Sequence, residues 1–286
     1  MMLIYNWQKM GKKNLKNKNS KIHITFNSEE DKRIVEPILK QQPDKIYYFK
    51  AYIEKTGQKD QHLDFLEKNV AWIRKELPNA EIIIQDIDYT NYIKVIQEIS
   101  LIIKNERKKH PECEILINMG CGSKITALAS AEAARLWDCK VIYVFSTLYD
   151  PSHEGARHKG KFFIFEPPVF PALKPDAELI EVLKLLNKCI NLKYKDKDID
   201  VPEEQKFIYK KSFIEFLISS GKLPLRKKSE DPQKLKSSYY MMANKRFLDP
   251  LEKELQYITI SEDKRNKKIC LTENGRNVLE IFKYLI

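Results

Sequence analysis

The stretch INMGCGSKITALAS, Ile117 to Ser130, sets two glycines, a cysteine, a serine and a lysine between an apolar run and an alanine-rich segment. Residues of these types in this order can hold an anion. Gly120 and Gly122 allow positive φ and close approach of the backbone, and Ser123 can cap a helix while pointing its hydroxyl outward. The helix start itself offers free amides and a partial positive charge. Lys124 adds a mobile cation. The same glycines would equally serve a plain strand-to-helix turn, and the residues alone leave the two readings level. Neither common nucleotide motif fits. A Walker loop needs GxxxxGK[ST], which Gly122-Ser123-Lys124 does not supply, and the dinucleotide fingerprint GxGxxG breaks at Ile125.

Other chemistry is sparse. The cysteines Cys113, Cys121, Cys139, Cys189 and Cys270 form no CxxC pair, and an odd number of scattered thiols points to a reducing, cytoplasmic setting without structural zinc. HEGARH places His153 and His158 five apart in an expected loop, where a zinc-protease pattern needs HExxH on one helical face. No metal and no cofactor is expected.

The elements that must position the glycine stretch follow from periodicity. Short β-rich runs at Lys21–Phe26, Lys45–Lys50, Glu81–Ile87, Cys113–Met119 and Lys140–Ser146 alternate with amphipathic segments at 29–41, 61–77, 89–109 and 123–137. This βαβ rhythm predicts an α/β domain with a Rossmann-like, mostly parallel sheet. Lys161–Phe165 is expected to add an edge strand. EPPVFPALKP, with four prolines, cannot be helix and marks a boundary before a helix at 176–191 and the polar linker KYKDKDID. The expected organisation is a disordered basic arm (1–20), a Rossmann-like domain (21–171), a linker helix and linker (172–200) and an α+β winged helix-turn-helix domain (201–286).

That last assignment rests on a different pattern. A helix over Glu203–Ser219 ends at Gly221, a plausible C-cap, and Asp231-Pro232 reads as an N-cap with proline at the first helical position. Asp249-Pro250 repeats the signal, so the helix is kinked or split there. QYITISEDKRNKKICLT alternates around a charged turn as a hairpin does, and Thr272 caps a closing helix. Charge follows the same partition. The net +11 comes from residues 1–20, with five lysines and no acid, and from residues 201–286, with 18 basic against 12 acidic residues. A basic module beside a neutral body points to nucleic acid, although lysine enrichment for solubility gives the same count.

Leu251 to Leu279, down to LTENGR after the second wing strand, resembles the recognition-helix end, wing and following helix of MarR-like regulators. The resemblance implies duplex DNA as a partner, contacted by Lys234, Lys236, Ser237, Ser238, Tyr240, Lys245 and Arg246 on the helix and by Lys264, Arg265, Lys267 and Lys268 at the wing. Upstream, His23–Lys50, Ile117–Ala134 and Phe162–Leu186 resemble the first strand and DxRIxxPI-type helix, the glycine-containing strand-loop-helix and the proline-marked exit of the CARF (CRISPR-associated Rossmann fold) domain. The whole chain from Lys21 is similar to archaeal CARF-plus-winged-helix regulators. What this implies is a homodimer whose loops after the first and fourth main strands bind a cyclic oligoadenylate, with cyclic tetra-adenylate the expected form. On this sequence the loops are Asn27, Ser28 and Glu29, and Asn118, Met119, Gly120, Cys121, Gly122, Ser123 and Lys124. Cys121 stands where that family commonly has a hydroxyl residue, so a weaker donor is expected there. The function implied is a CRISPR-linked, ligand-responsive transcriptional regulator. The alternative is a ring nuclease cleaving the messenger in the same pocket with Ser123 and Lys124. An Arg-x(4–6)-His ribonuclease motif is excluded, since no histidine follows His158, and an NAD-dependent oxidoreductase is disfavoured by the broken fingerprint.

With 43% hydrophobic residues over 286 positions, the chain can bury one large core or two ordinary ones. No window reaches the roughly 18 apolar residues that a membrane span requires, and the first 20 residues lack the order of a secretory signal. No membrane partner is expected.

Overall fold

β1 (Lys21–Phe26) is buried from Ile22 to Phe26, as an apolar run in the middle of a sheet covered on both faces should be. The structure is a computed structural model, and it describes residues 20–168, 175–195, 201–224, 231–263 and 265–284. The basic arm, most of the proline-rich boundary, residues 196–200 of the linker and Lys264 lie outside the described residues.

α1 (Lys32–Gln41), β2 (Lys45–Ile53), β3 (Gln58–Lys59), α2 (Leu63–Glu76), β4 (Glu81–Asp88), α3 (Tyr92–Lys109), β5 (Glu114–Asn118), α4 (Lys124–Trp137), β6 (Lys140–Tyr149) and β7 (His158–Phe165) follow in order. β4 pairs with β2, β2 with β1, β1 with β5 and β5 with β6, all parallel, so every crossover carries a helix. β7 pairs antiparallel with β6 as an edge strand, and β3 adds a two-residue antiparallel pairing at Tyr52–Ile53 of β2. The predicted strands and crossover helices are therefore present within a few residues of their expected ends. From β1 the chain adds β2 and β4 on one side, then crosses back through α3 and adds β5 and β6 on the other side of β1. The chain order reverses between β1 and β5, and the loops leaving these two strands diverge there. Such a crevice at the carboxyl ends of the strands is where open α/β sheets place ligands.

α1 shows how sequence-distant residues are coupled. Pro37 lies inside it and has no N–H to give to the carbonyl of Arg33, four residues back. Asn118, at the end of β5, donates from Nδ2 to that carbonyl at 2.9 Å and so replaces the missing donor.

α5 (Ala177–Tyr194), β8 (Ile208–Tyr209), α6 (Lys210–Ser219), α7 (Pro232–Ala243), β9 (Ile258–Ile260), β10 (Lys268–Leu271) and α8 (Glu273–Ile281) complete the described chain. β8, β10 and β9 form an antiparallel three-stranded sheet in that order. Val182, Leu183 and Leu186 of α5 share one core with Phe213 and Leu217 of α6, Phe247 and Leu251, Ile269 of β10 and Leu279 of α8. By contacts the chain divides into two units. One holds the residues up to Thr90 together with those from Ile102 through β7; the other holds Asn91–Leu101 and the residues from α5 onward.

Two expectations for the second unit are corrected. The helix expected over Glu203–Ser219 begins only at Lys210, because Ile208 and Tyr209 extend to pair with Ile269 and Lys268 and occupy an otherwise open strand edge. Asp249-Pro250 does not split the following helix. From Asn244 to Glu254 it widens, with the Asp249 amide bonded to the Asn244 carbonyl and the Leu255 amide to the Pro250 carbonyl, each five residues back. The wider turn lets the chain pass a proline without breaking. Gly275 of LTENGR has a packing reason, since a Cβ there would lie 2.1 Å from the Tyr257 carbonyl oxygen.

Candidate functional site

The glycine stretch sits at the switch point. Ser123 is the N-cap of α4: its hydroxyl accepts from the Thr126 amide at 3.1 Å, and the Ser123 amide donates to Thr126 Oγ1 at 2.8 Å. The serine's own proton goes to the Tyr89 carbonyl at 3.0 Å, so the hydroxyl is committed inside the fold rather than turned outward. Gly122 has φ +87°, the left-handed region expected of it. Gly120 does not; it is needed for close approach, since a Cβ there would stand 2.9 Å from the Val144 amide nitrogen. Lys124 is exposed at the first turn of α4.

Several residues expected to face a ligand also hold the loops together. Asn118 is fully buried, donating to the Arg33 carbonyl and accepting the Gly120 amide on Oδ1 at 2.9 Å. Asn27 is buried too, donating to Asp60 at 3.0 Å and to the His62 carbonyl at 2.8 Å. Cys121 packs among Ile34, Ile38, Tyr48 and Ile73, and burial pushes its thiol up to about 12. It contributes apolar volume to the core beneath the loop. Met119 and Gly120 are half-buried, and Ser28 and Glu29 line the crevice.

The loops line an open cavity of about 250 Å³ bounded by Ser28, Glu29, Glu30, Arg33, His62 and Gly120–Gly122, together with Tyr149, Arg157 and His158 from the β6–β7 hairpin. Glu30, Arg33, His62, Arg157 and His158 were not among the expected site residues. HEGARH was the only signal for the last two, and a loop histidine read singly gives no hint of what it faces. Arg33 is buried; its Nε donates to the Val144 carbonyl at 2.9 Å and its Nη1 lies 3.4 Å from Glu30 Oε1. Glu30 is only 7% exposed. Burial raises its carboxyl to about 7 although Arg33 pulls the other way. Ser146 gives its hydroxyl proton to the Leu148 carbonyl, so His158 Nδ1, 2.6 Å from Ser146 Oγ, is the donor of that pair. The neutral ring then turns an unprotonated Nε2 toward Glu30 Oε1, 3.6 Å away, and burial holds this histidine below its ordinary range. The cavity thus joins an amide-lined loop, two guanidinium groups and a carboxyl–imidazole pair, a set that can take an anion and exchange a proton near neutrality.

In the second unit, Asp231 caps α7, accepting from the Gln233 and Lys234 amides. Lys234, Ser237, Ser238 and Lys245 recur at helical spacing on an exposed face that also carries Met241, which the sequence reading did not select. Lys236 is exposed beside them. Tyr240, expected on that face, is half-buried against the core, because its position in the helical repeat points inward with Ala243 and Phe247. Arg246 is exposed but bound in a fork to Glu178 of α5, with contacts of 2.6, 2.8 and 3.0 Å. Between β9 and β10, Asp263 accepts from the amides of Arg265 and Asn266 at 2.8 and 2.9 Å and so shapes the tip on which Arg265 and Lys267 are exposed. Lys268 stands 4.6 Å over the Phe207 ring, and Lys193 sits over the same ring at 3.4 Å.

This order of helices, strand and basic hairpin is matched by a family model for the DUF6293 C-terminal winged helix domain over residues 197–283. Over these residues the second unit is similar to that family. A second model, HFX_2341_N-like, N-terminal, matches residues 21–149, upstream of that match. The expectation of a mostly parallel α/β sheet followed by a winged helix domain is borne out. No curated protein matches the chain. Among solved structures it is similar to Enterococcus italicus Csm6 bound to cyclic hexa-2′-fluoro-hexa-dAMP (TM-score 0.41, 13% identity, covering 84% of this chain and 56% of that one). It is also similar to Can2 from Sulfobacillus thermosulfidooxidans in complex with cyclic tetra-adenylate (0.34, 13%, 92% and 62%) and to protein VC1899 from Vibrio cholerae (0.35, 12%, 93% and 65%). The chain spans less than two thirds of the length of each. Among the described residues no cluster of His, Cys, Asp or Glu could hold a metal ion, and no helix is long and apolar enough to cross a membrane.

Proposed function

We propose that the protein is a CRISPR-linked, ligand-responsive transcriptional regulator. Its first unit binds a cyclic oligoadenylate, with cyclic tetra-adenylate the form expected, and its winged helix domain binds operator DNA. One observation carries this reading: the loops after β1 and β5 diverge at the switch point and open an arginine-containing cavity over the α4 cap, in a chain whose winged helix segment has 18 basic against 12 acidic residues. A homodimer suits a cyclic anion, because a two-fold axis presents the same donors to each half of the ring. Gel-shift titration of the full chain on its own promoter, with and without cyclic tetra-adenylate, tests the proposal, and absence of DNA binding in both conditions would overturn it.

The wing supplies a sharper expectation. Arg265→Ala/Lys267→Ala should weaken operator binding about 10- to 100-fold. It should also lower the slope of log affinity against log salt by roughly 2, the signature of two lost phosphate contacts. An unchanged salt slope, measured by fluorescence anisotropy, would remove the wing from the interface.

The ring-nuclease alternative gains a specific support. Cleavage needs a base for a ribose 2′-hydroxyl and an acid for the departing 5′-oxygen, and Glu30 with His158 brings two proton-exchanging groups beside the glycine loop. Ser123, expected to act there, has its hydroxyl committed to Tyr89 and Thr126. Incubation of the protein with labelled cyclic tetra-adenylate decides between the readings, and persistence of intact ring excludes cleavage.

A further inference from the structure

Glu29 poses a problem for an anion cradle, since it brings a negative charge to the place a phosphate should occupy. Its position answers the problem. One carboxylate oxygen lies 3.3 Å from Arg157 Nη2 and the other 3.6 Å from His62 Nδ1, so it bridges a residue of the β6–β7 hairpin and one of the β3–α2 loop across the cavity. We propose that Arg157 and His62 form a phosphodiester subsite in which the Glu29 carboxylate is a resident counter-anion that the ligand displaces. The proposal rests on the anion-cradle reading of this cavity, though not on which cyclic ligand fills it.

Three further observations point to a guest. Among the described residues Arg157 Nε is buried with no hydrogen-bond partner, and Glu30 Oε2, on a side chain 9% exposed, is likewise buried and unpartnered. Both groups line the same cavity, beside the backbone of Gly120–Gly122. Buried polar atoms left open in this way are normally matched by a ligand or water. The cavity's volume of about 250 Å³ equals the share of roughly eight waters, enough for a phosphodiester group. Burial holds Glu30 near neutrality, so it can offer a proton to a phosphate oxygen where an ionised carboxylate would repel it.

Displacement is also affordable on energetic grounds. The side chains of Glu29, Arg157 and His62 are 35%, 44% and 34% exposed, so their pairing is screened and weak. A carboxylate and a phosphodiester each carry one negative charge, so exchanging them leaves the charge of the cavity unchanged. Releasing the resident should therefore cost the ligand about three- to tenfold in affinity, a handicap for free phosphate and carboxylate metabolites that a ligand with several phosphodiesters outweighs.

The test compares wild type, Glu29→Gln and Glu29→Gln/Arg157→Gln as full chains, with circular dichroism to confirm folding. Thermal stabilisation is titrated with inorganic phosphate at constant ionic strength, and binding is measured for cyclic tetra-adenylate. Glu29→Gln should lower the phosphate midpoint about three- to tenfold, and the double variant should lose that gain. A midpoint unchanged or raised by Glu29→Gln, or a gain that survives in the double variant, overturns the subsite. If the phosphate response follows the expectation while cyclic tetra-adenylate binds to none of the three, the subsite stands and the messenger reading falls. If cyclic tetra-adenylate binds wild type but both responses ignore Glu29 and Arg157, the messenger reading stands and the subsite falls.

Discussion

Gly122→Ala is expected to cost the first unit about 2–5 kcal/mol and to abolish ligand binding in its cavity. The residue holds φ +87°, where any side chain is strained, and an added Cβ would stand 2.6 Å from Thr126 Oγ1 and 2.8 Å from Phe26 Cβ. Neither neighbour yields cheaply. Phe26 Cβ is fixed by the backbone of a central strand, and Thr126 Oγ1 accepts the Ser123 amide that starts α4. Relief of the clash therefore opens the cap of α4 and moves Gly120–Gly122 together. Against a typical domain stability of 5–15 kcal/mol this is a large loss. Urea denaturation measures it, and a cost below about 1 kcal/mol would show that the loop is not held as described.

Arg33→Ala should be as damaging, with a dependence on pH that identifies the cause. Removing the guanidinium leaves the Glu30 carboxylate buried without its cation, a loss of about 3–5 kcal/mol when the group is ionised. Glu30 is raised to about 7 in the fold from an ordinary 4.5. For a carboxyl raised by folding, the native state holds more protons between these values, so the stability the group confers is present below about 4.5 and is lost as pH rises through about 7. The cost of Arg33→Ala should then be larger at pH 8 than at pH 6, where a neutral Glu30 asks less of its partner. Glu30→Gln should remove this dependence and recover more than half of the loss in the double variant. Equal costs at both pH values would mean that the arginine acts only through Val144 and Tyr143, which it bonds and covers.

Much of this architecture is written locally. The β-rich runs and amphipathic spacers predict the parallel sheet, Asp231-Pro232 and Thr272 give the helix starts, and the cations of Arg265 and Lys267 mark the wing. Where local reading fails, a distant partner has overridden it. Ile208-Tyr209 reads as part of a helix until β10 offers it an edge. Asp249-Pro250, which reads as a kink or a split, is met locally by a wider turn. Ser123, Asn118 and Cys121 have the residue types of ligand donors, but each spends its polar group or its volume on the fold: on the Tyr89 carbonyl, on the carbonyl that Pro37 leaves open, and on the core beneath α1.

The fold class, the order of elements, the winged helix and the two loops that leave β1 and β5 are legible in the residues, because propensity, capping and periodicity act within a few positions. Which side chains share the cavity is set by the packing of the whole sheet. Arg33 meets Val144 across 111 positions of sequence, and Glu29 meets Arg157 and His62 from three separate connections. Those meetings follow from the reversal of strand order between β1 and β5 and from the antiparallel return of β7. Strand order is set by which apolar faces bury together over the whole sheet, a long-range free energy that no short stretch of residues contains.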